Sequence, residues 1–472
     1  IRGRSPSRGL GDVYKRQVKY MLKGMSVAAT TLGCKVNQAE TDSMLDMLKA
    51  AGANIVEFDE KADIYIVNTC SVTNIADKKS RQMLHRARKM NPDGIVIAAG
   101  CYVQSAREIL EQDEAIDIVI SNNKKKSITE IVNDYINVRN NGKNAPGKDH
   151  EAMEYFVDIS RETEYEEMGG HVPVGHTRAY VKIQDGCNQF CSYCIIPYVR
   201  GRIRSRSQEA ILAEVSELAE AGIKEVVLTG IHISSYGKDK NNEGALIELI
   251  EAISKIKGIK RIRLGSLEPG IITEEFVERI SSNSKVCPHF HLSLQSGCDS
   301  VLKRMNRKYT CKQYFEKCDM LRKAYKSPAL TTDVIVGFPG ETEEEFAETV
   351  RYLTELNLYE MHIFKYSPRK GTVAAAMKEQ VAPEIKNERS DVLLKLAHDN
   401  KTAYEAQFEG CELEVLVEEV VKKDNKTYLR GHTERYMDIL IDVGDISMPE
   451  SFVNSFVYVT YTQNGGNLPL LL

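Results

Sequence analysis

The chain has 472 residues, of which 42% are hydrophobic and 28% are charged. At about 150 residues per domain, this length indicates roughly three domains, and the composition excludes both a disordered chain and a small disulfide-stapled scaffold. The formal net charge of −4 gives no general attraction for nucleic acid, so such a partner has to be argued from local patches.

Two kinds of targeting segment are missing from the sequence pattern. No apolar run approaches the roughly 18 residues of a membrane-spanning helix, and no signal peptide is recognisable. We therefore expect a reducing, cytoplasmic setting, in which the 11 cysteines serve metals or catalysis more often than cross-links. Residues 1–17 show no hydrophobic period and are rich in Arg, Gly and Ser, so we interpret them as a non-native N-terminal extension.

Short apolar runs alternate with helical patterns over residues 18–138. This alternation predicts an open parallel α/β sheet with helices on both faces. The predicted strands are 26–32, 64–67, 95–99 and 116–120, and the predicted helices are 39–51, 76–90, 105–111 and 128–135. Residues 139–172 are polar and are predicted to form a linker.

A second alternation fills residues 173–402 and predicts an incomplete (β/α)6 barrel, whose chemistry would lie at the carboxyl ends of the strands. The predicted strands are 179–183, 225–228, 261–264, 290–294, 333–336 and 361–364. A long helix is predicted over 383–408. Residues 403–465 then change character to short strands and polar turns, which indicates a small β-barrel or sandwich.

The sharpest motif is C-x3-C-x2-C, formed by Cys187, Cys191 and Cys194 directly after the first predicted barrel strand. Three thiolates within eight residues can hold one metal centre. A four-iron cluster held by only three cysteines keeps one iron open for a ligand. A structural zinc loop is the alternative, but zinc usually takes a fourth ligand that is missing here.

Three further cysteines, Cys34, Cys70 and Cys101, each follow a predicted strand of the N-terminal sheet. The carboxyl ends of parallel strands lie along one edge of a sheet, where ligands bind. We therefore expect the three thiols to meet and to hold a second cluster, although three unrelated buried thiols would be the commoner outcome by spacing alone. The other cysteines are interpreted as packing or surface thiols: Cys287, Cys298, Cys311, Cys318 and Cys411.

Other features of the barrel region are less specific. Glycines beside polar residues at several strand ends suit a polar, extended ligand, but they also suit ordinary βα turns. His289, His291 and His362 are predicted to be structural. The alternating arginines 200, 202, 204 and 206 are predicted either to form a solvated face or to contact phosphates. Basic residues between 422 and 435 give the C-terminal region one possible basic side.

The cysteine loop, with Tyr193 directly before its last cysteine, resembles that of the radical S-adenosylmethionine (SAM) enzymes. Together with the three-cysteine N-terminal region and a TRAM-like C-terminal β-barrel, it resembles the methylthiotransferases over about residues 25–462. Within that family, three segments resemble the subgroup that converts N6-threonylcarbamoyladenosine at position 37 of tRNA into its 2-methylthio derivative. They read TLGCKVNQAETD at 31–42, NTCSVT at 68–73 and GCYVQ at 100–104.

The resemblance implies a transferase with two [4Fe-4S] clusters. The cluster on Cys187, Cys191 and Cys194 would bind and cleave SAM, and the resulting radical would take the hydrogen from C2 of the adenine. The cluster on Cys34, Cys70 and Cys101 would supply the sulfur that a second SAM methylates, and the two clusters would face each other across the base. The implied SAM contacts are Tyr193, Gly230, His232, Ser266, Gln295, Val336 and Gly337.

The resemblance also implies partners: the anticodon stem-loop of tRNA, an external electron donor and a sulfur source, with no DNA and no membrane. Three alternatives remain open from the sequence. The first is the substrate of a sibling subgroup, which is isopentenyladenosine in tRNA or a ribosomal protein. The second is a non-catalytic iron–sulfur electron carrier or RNA-binding protein, and the third is a zinc-stabilised RNA-binding module.

Overall fold

The computed structural model describes residues 22–140, 155–169, 177–423, 426–444 and 448–463, with the backbone of 465–467. The predicted extension 1–17 and most of the predicted linker lie outside these residues. The chain divides into two compact units. Unit 1 holds the described residues up to 169 with 185–188 and 194–206, and unit 2 holds 177–184, 189–193 and the described residues from 207 on. No described helix is long and apolar enough to cross a membrane.

Unit 1 contains a five-stranded parallel sheet in the order β2-β1-β3-β4-β5, as the strand–helix alternation predicts. Ile64 and Ile66 of β3 face one hydrophobic core, and Tyr65 and Val67 face the other, so helices cover both sides. Its elements are β1 (Ser26–Thr31), α1 (Lys35–Ala50), β2 (Asn54–Val56), β3 (Ile64–Thr69), α2 (Asn74–Met90), β4 (Ile95–Gly100), α3 (Cys101–Ser105), α4 (Arg107–Glu111), β5 (Ile118–Ile120) and α5 (Ile128–Asn140).

Two details of unit 1 differ from the sequence prediction. The single helix predicted at 105–111 is two short helices, α3 and α4, because the backbone leaves the helical region at Ala106 (φ −136°, ψ 33°). The edge strand β2 was not predicted, since it has only three residues and its side chains are largely exposed. Such a strand has no apolar pattern to reveal it.

Unit 2 contains six parallel strands with helices between them, which confirms the predicted incomplete barrel. The strands pair as β6-β7-β8 and β9-β10-β11, and the bridges Ile262–Val286 and Leu267–Leu292 join the two groups. Its elements are β6 (Arg178–Asp185), α6 (Gln208–Glu220), β7 (Glu225–Gly230), α7 (Ala245–Ser254), β8 (Arg261–Leu264), α8 (Glu274–Ser281), β9 (His289–His291), α9 (Asp299–Arg304), α10 (Cys311–Ala324), β10 (Ala329–Val336), α11 (Glu343–Leu356), β11 (Glu360–Lys365) and α12 (Pro383–Ala406).

The C-terminal strands form a closed β-barrel in the order β12-β13-β14-β16-β15, as predicted for a small all-β region. Arg261 and Arg263 of β8 donate to its backbone at His432 and Glu434, so this barrel covers the end of the parallel sheet opposite the strand C-termini. The strands are β12 (Glu412–Lys423), β13 (Lys426–Thr433), β14 (Asp438–Asp442), β15 (Phe456–Thr462) and β16 (Gly465–Asn467).

The basic side expected on this β-barrel is largely neutralised by acidic neighbours. Arg430 pairs with Asp438 at 2.8 Å, and Lys426 pairs with Asp442 at 3.4 Å. His432 lies 2.8 Å from Glu418. Ion pairs of this kind leave little net positive field on this surface, whereas Lys422 and Lys423 are exposed.

Candidate active site

Cys34, Cys70 and Cys101 lie at the carboxyl ends of three adjacent strands, as predicted. Cys34 precedes α1, Cys70 directly follows β3, and Cys101 is the first residue of α3 after β4. Because β1, β3 and β4 are parallel neighbours, the three cysteines share one edge of the sheet.

The three thiols are close enough to influence each other's ionisation. Burial, together with the charges of Cys101 and Cys34, raises the pKa of the Cys70 thiol to about 11. Burial also raises the pKa of Cys34, with Arg200 lowering it and Cys101 raising it. Cys34 is exposed as a residue, and its thiol lies close enough to Arg200 and Cys101 for both to affect its pKa.

A glycine permits this convergence. Gly33 has φ +102°, and a Cβ atom at that position would lie 2.7 Å from the Cys70 sulfur. Any other residue would meet both backbone strain and a steric clash with the thiol. The glycine before Cys34 is therefore part of the site.

The spacing of the thiols argues against a single bound ion. Nowhere in the described part of the chain do three cysteine sulfurs all lie within 4.8 Å of one another. Thiolates on one tetrahedral zinc ion would be about 3.8 Å apart, given Zn–S bonds of about 2.3 Å. The separation suits a larger centre with several metal ions.

One guanidinium, that of Arg200, links this thiol site to the start of the C-x3-C-x2-C loop. Its Nε donates to the Cys101 sulfur at 3.2 Å, and its Nη1 donates to Asp185 at 3.1 Å. It also donates to Glu40 and to the side-chain oxygen of Asn37. Arg200 is wholly buried, and each contact lies within unit 1.

The charges around Arg200 balance locally. Glu40 is buried and also accepts from the buried Lys125, so two cations face the carboxylates of Glu40 and Asp185. Burial alone would lower the pKa of Arg200, but Cys101, Glu40 and Asp185 together hold it well above its usual value. The cation therefore stays charged beside the Cys101 sulfur.

The backbone around Cys187 is fixed by the same segment. The Cys187 N–H donates to the Gly201 carbonyl at 3.0 Å. Gly186 has φ +71°, and a Cβ there would lie 1.8 Å from the carbonyl oxygen of Arg202, so only glycine is tolerated. The helical turn Ile196–Val199, which follows Cys194, packs against Cys101.

The alternating arginines 200, 202, 204 and 206 were predicted either to form a solvated face or to contact phosphates. Both predictions are wrong for three of the four. Arg200, Arg204 and Arg206 are buried, and none of them forms a solvated face or is available to phosphates. Arg204 donates to the carbonyls of Arg200 and Arg202, and Arg206 pairs with Glu167 at 2.6 Å. Only Arg202 is exposed. Acidic side chains and backbone carbonyls that folding brings to these arginines, and that a linear pattern does not show, account for the difference.

In unit 2, the sulfur of Cys191 also accepts a hydrogen bond from an arginine. Arg307 Nη1 donates to the Cys191 sulfur at 3.3 Å, and Nη2 donates to Glu268 at 2.9 Å. Burial lowers the pKa of Arg307, but Tyr193, Tyr309, Glu268 and Cys191 together raise it well above its usual value. Each cysteine trio thus has one buried guanidinium that donates to one of its sulfurs.

A cavity of about 440 Å³ opens beside Arg307. Its lining includes His232, Glu268 and Tyr309. His232 Nε2 lies 3.5 Å from Glu268, whose pKa is raised by burial but lowered overall by His232 and Arg307. The size is ordinary for a small-molecule site, and the ionised carboxylate suits a cationic ligand group.

The residues expected to contact SAM divide into two groups. His232 lines the cavity, and Gly230 lies on the same strand end, where Gln184 Oε1 accepts from the His232 N–H at 2.7 Å. The other predicted contacts do not line it. Val336 packs in the hydrophobic core, and Tyr193 packs in an apolar cluster with Phe338. Ser266 is exposed. Gln295 (φ +78°) and Gly337 (φ +69°) occupy turns at strand ends.

The sequence reasoning missed Arg307 and gave no role to Glu268, Asn37 or Glu40. Arg307 lies in a short segment without motif, 116 residues from Cys191, so no local signal could have found it. Asn37 and Glu40 lie in the segment 31–42 that was singled out for resemblance. A polar Asn–Glu pair directly after a cysteine in an amphipathic helix was the available signal.

Comparison with known proteins identifies the family of the chain. Residues 181–353 match the Radical SAM superfamily, and residues 26–121 match Uncharacterized protein family UPF0004. The chain is 39% identical over 416 residues to the threonylcarbamoyladenosine tRNA methylthiotransferase MtaB of Bacillus subtilis, covering 88% of this chain and 90% of that protein. It is 35% identical over 443 residues to the tRNA-2-methylthio-N(6)-dimethylallyladenosine synthase of Thermoanaerobacter pseudethanolicus, covering 92% and 90%.

A solved structure of similar fold is the radical S-adenosylmethionine methyltransferase TsrM of Kitasatospora setae, with cobalamin and a [4Fe-4S] cluster bound. The TM-score is 0.53 at 14% identity, covering 73% of this chain and 77% of that one, so the likeness concerns the fold alone. Superfamily membership implies SAM and a [4Fe-4S] cluster. From the matched regions and the identity over most of its length, the chain belongs to the methylthiotransferase family of radical SAM enzymes and is a transferase.

Proposed function

We propose that this enzyme converts N6-threonylcarbamoyladenosine at position 37 of tRNA into its 2-methylthio derivative. The observation that carries the proposal is the meeting of Cys34, Cys70 and Cys101 at one sheet edge, in a chain that also has the C-x3-C-x2-C loop. An electron carrier or an RNA-binding protein needs no second thiol site of this kind.

We assign the two trios as ligands of two [4Fe-4S] clusters. Cys34, Cys70 and Cys101 hold one, and Cys187, Cys191 and Cys194 hold the other. The first set fits because its sulfurs are farther apart than a single ion needs, and because Gly33 leaves room beside Cys70. Arg200 and Arg307 fit because a guanidinium on a ligand sulfur stabilises the thiolate that a metal requires.

When bound, these clusters with SAM supply the radical and sulfur chemistry that no amino-acid side chain provides. The chain's own residues bind and orient. Glu268 and His232 offer a carboxylate and an imidazole in the cavity for the polar end of SAM, and Arg307 connects Glu268 to Cys191. Arg200 excludes water from the Cys101 side of the other trio.

The choice of the threonylcarbamoyl substrate rests on two observations. The Bacillus subtilis relative carries that substrate in its name, and the 31–42 segment resembles the same subgroup.

The partners follow from the substrate. The C-terminal β-barrel binds the anticodon stem-loop of tRNA, and the target base is unstacked to reach the reacting groups. An external electron donor and a sulfur source complete the reaction, and a tRNA substrate puts it in the cytoplasm.

The test is a reaction of the reconstituted enzyme with two tRNAs, one carrying threonylcarbamoyladenosine and one carrying dimethylallyladenosine at position 37. We expect the 2-methylthio product from the first tRNA only, detected by mass spectrometry of the nucleosides. Product from the second tRNA alone would move the enzyme to the sibling subgroup. SAM cleavage without either product would refute both tRNA substrates.

A further inference from the structure

Three polar side chains that neither cysteine trio uses lie together on the last three strands of the half-barrel. His291 ends β9, Asp333 lies in β10, and His362 lies in β11. Their sequence neighbours Phe290, Val334 and Met361 face the hydrophobic core. Since side chains alternate along a strand, the polar trio points to the concave side of the sheet.

The strand register brings their ligating atoms together. Asp333 pairs directly with His362, and His291 pairs with Thr331, two residues before Asp333. One nitrogen of each imidazole and one oxygen of Asp333 all lie within 4.8 Å of one another. His291 Nε2 and the nearer Asp333 oxygen are 3.4 Å apart. Two ligands on a tetrahedral metal at about 2.1 Å would show the same separation, about 3.4 Å.

A further contact orients one imidazole. His291 Nδ1 lies 3.0 Å from Thr331 Oγ1, which leaves Nε2 directed towards Asp333. Histidines that bind metals usually have their second nitrogen held by a neighbouring oxygen in this way. The two imidazole rings lie nearly parallel, 5.9 Å apart at 24°, so that both can present a nitrogen to one point.

We propose that His291, Asp333 and His362 form a binding site for one divalent first-row transition-metal ion. Two imidazoles and one carboxylate favour zinc, cobalt, nickel or iron over magnesium and calcium, which prefer all-oxygen sites. His362 is exposed, so the ion would keep coordination positions open on the concave side. The prediction that these two histidines are structural is revised accordingly. The proposal does not depend on the proposed tRNA substrate.

The test measures zinc bound by enzyme whose iron–sulfur clusters are loaded, so that the cluster cysteines are occupied. After equilibrium dialysis with Zn²⁺, we expect one zinc ion per chain in addition to the iron. Asp333→Asn and His362→Ala should each weaken zinc binding by at least about 100-fold, and Thr331→Val by about 10- to 100-fold. Unchanged iron content in each variant shows that the fold and the clusters are intact.

A matched control is His85→Ala. His85 and Asp113 form another histidine–carboxylate pair, at 2.9 Å, which no third metal-binding side chain joins among the described residues. Its loss should leave the zinc stoichiometry unchanged. A second readout is high-spin Co²⁺ electron paramagnetic resonance with the clusters in their diamagnetic state, where a signal altered by His362→Ala supports the site. Wild-type enzyme without stoichiometric zinc, or zinc retained in both Asp333→Asn and His362→Ala, would overturn the proposal.

Discussion

The two cysteine trios are brought together in different ways. Cys187, Cys191 and Cys194 come from one loop, and eight residues of sequence bring them together. Cys34, Cys70 and Cys101 come from three strand ends, and 67 residues separate the first from the last. The first trio needs a loop conformation, whereas the second exists only when β1, β3 and β4 are paired in register.

Because of this difference, substitutions near the two trios should have different effects. The distributed trio depends on the buried network of Arg200, Asn37 and Glu40, whose loss would disturb several elements at once. In the loop trio, by contrast, the guanidinium of Arg307 donates a hydrogen bond to the Cys191 sulfur. Four predictions test this comparison, beginning with the largest effect.

The first prediction concerns the loop trio. Cys191→Ala should abolish the formation of 5′-deoxyadenosine from SAM, because the cluster that binds SAM loses a ligand. Chromatography of the anaerobic reaction measures the product. Cys411→Ala, at an exposed cysteine outside both trios, should leave the yield unchanged. Undiminished cleavage in the Cys191 variant would refute the assignment of this loop.

The second prediction separates the trios. Cys70→Ala should keep 5′-deoxyadenosine formation but lose the methylthiolated nucleoside, because only the sulfur-supplying centre is broken. Iron should fall by about four atoms per chain. Parallel assays of both products and of iron give the answer. Equal loss of both activities in a folded variant would contradict the division of labour.

The third prediction concerns the buried cation of the distributed trio. Arg200→Gln leaves Asp185 without its closest buried cation and Glu40 with Lys125 only, so the free energy of unfolding should fall by about 3–5 kcal/mol. Denaturant unfolding measures the change. Arg202→Gln, two residues away and exposed, should change it by less than about 0.5 kcal/mol.

The variant Arg200→Lys tests whether the charge of this side chain or the geometry of its guanidinium is what the site requires. Lysine restores the charge but cannot donate in the planar fork that reaches Cys101, Asp185 and Glu40 together. It should recover part of the stability and less of the iron content. Full recovery of both would mean that charge alone, and not the geometry of the guanidinium, is what the site requires.

The fourth prediction has the smallest effect and compares two glycines of unit 1. Gly33 and Gly24 both have positive φ, +102° and +85°, so alanine at either position costs about 1–2 kcal/mol of backbone strain. Only at Gly33 would the new Cβ meet the Cys70 sulfur, while at Gly24 it meets no atom within 4 Å. Iron retention should therefore fall in Gly33→Ala and not in Gly24→Ala. Equal iron in the two variants would show that Cys70 can move aside.

Much of the fold was predictable because its signals are local. Buried parallel strands such as β3 and β4 are short apolar runs. The helix α11 is preceded by the capping residue Thr342, with Glu345 three positions later in the chain. Elements with weak local patterns were missed. The three-residue strands β2 and β16 are examples, because their place is set by the strand beside them.

The sequence by itself determined the loop trio and the order of the elements, because both depend on residues close together in the chain. It also indicated the second trio, since strand ends in a parallel sheet share an edge. Only the tertiary structure decided the partners of the buried charges. Arg200 belongs to a basic run that was predicted to lie on the surface. It is buried instead, because it pairs with Glu40 and Asp185 on other elements. A buried charge is stable only beside its counter-charge, and the counter-charge lies far away in sequence.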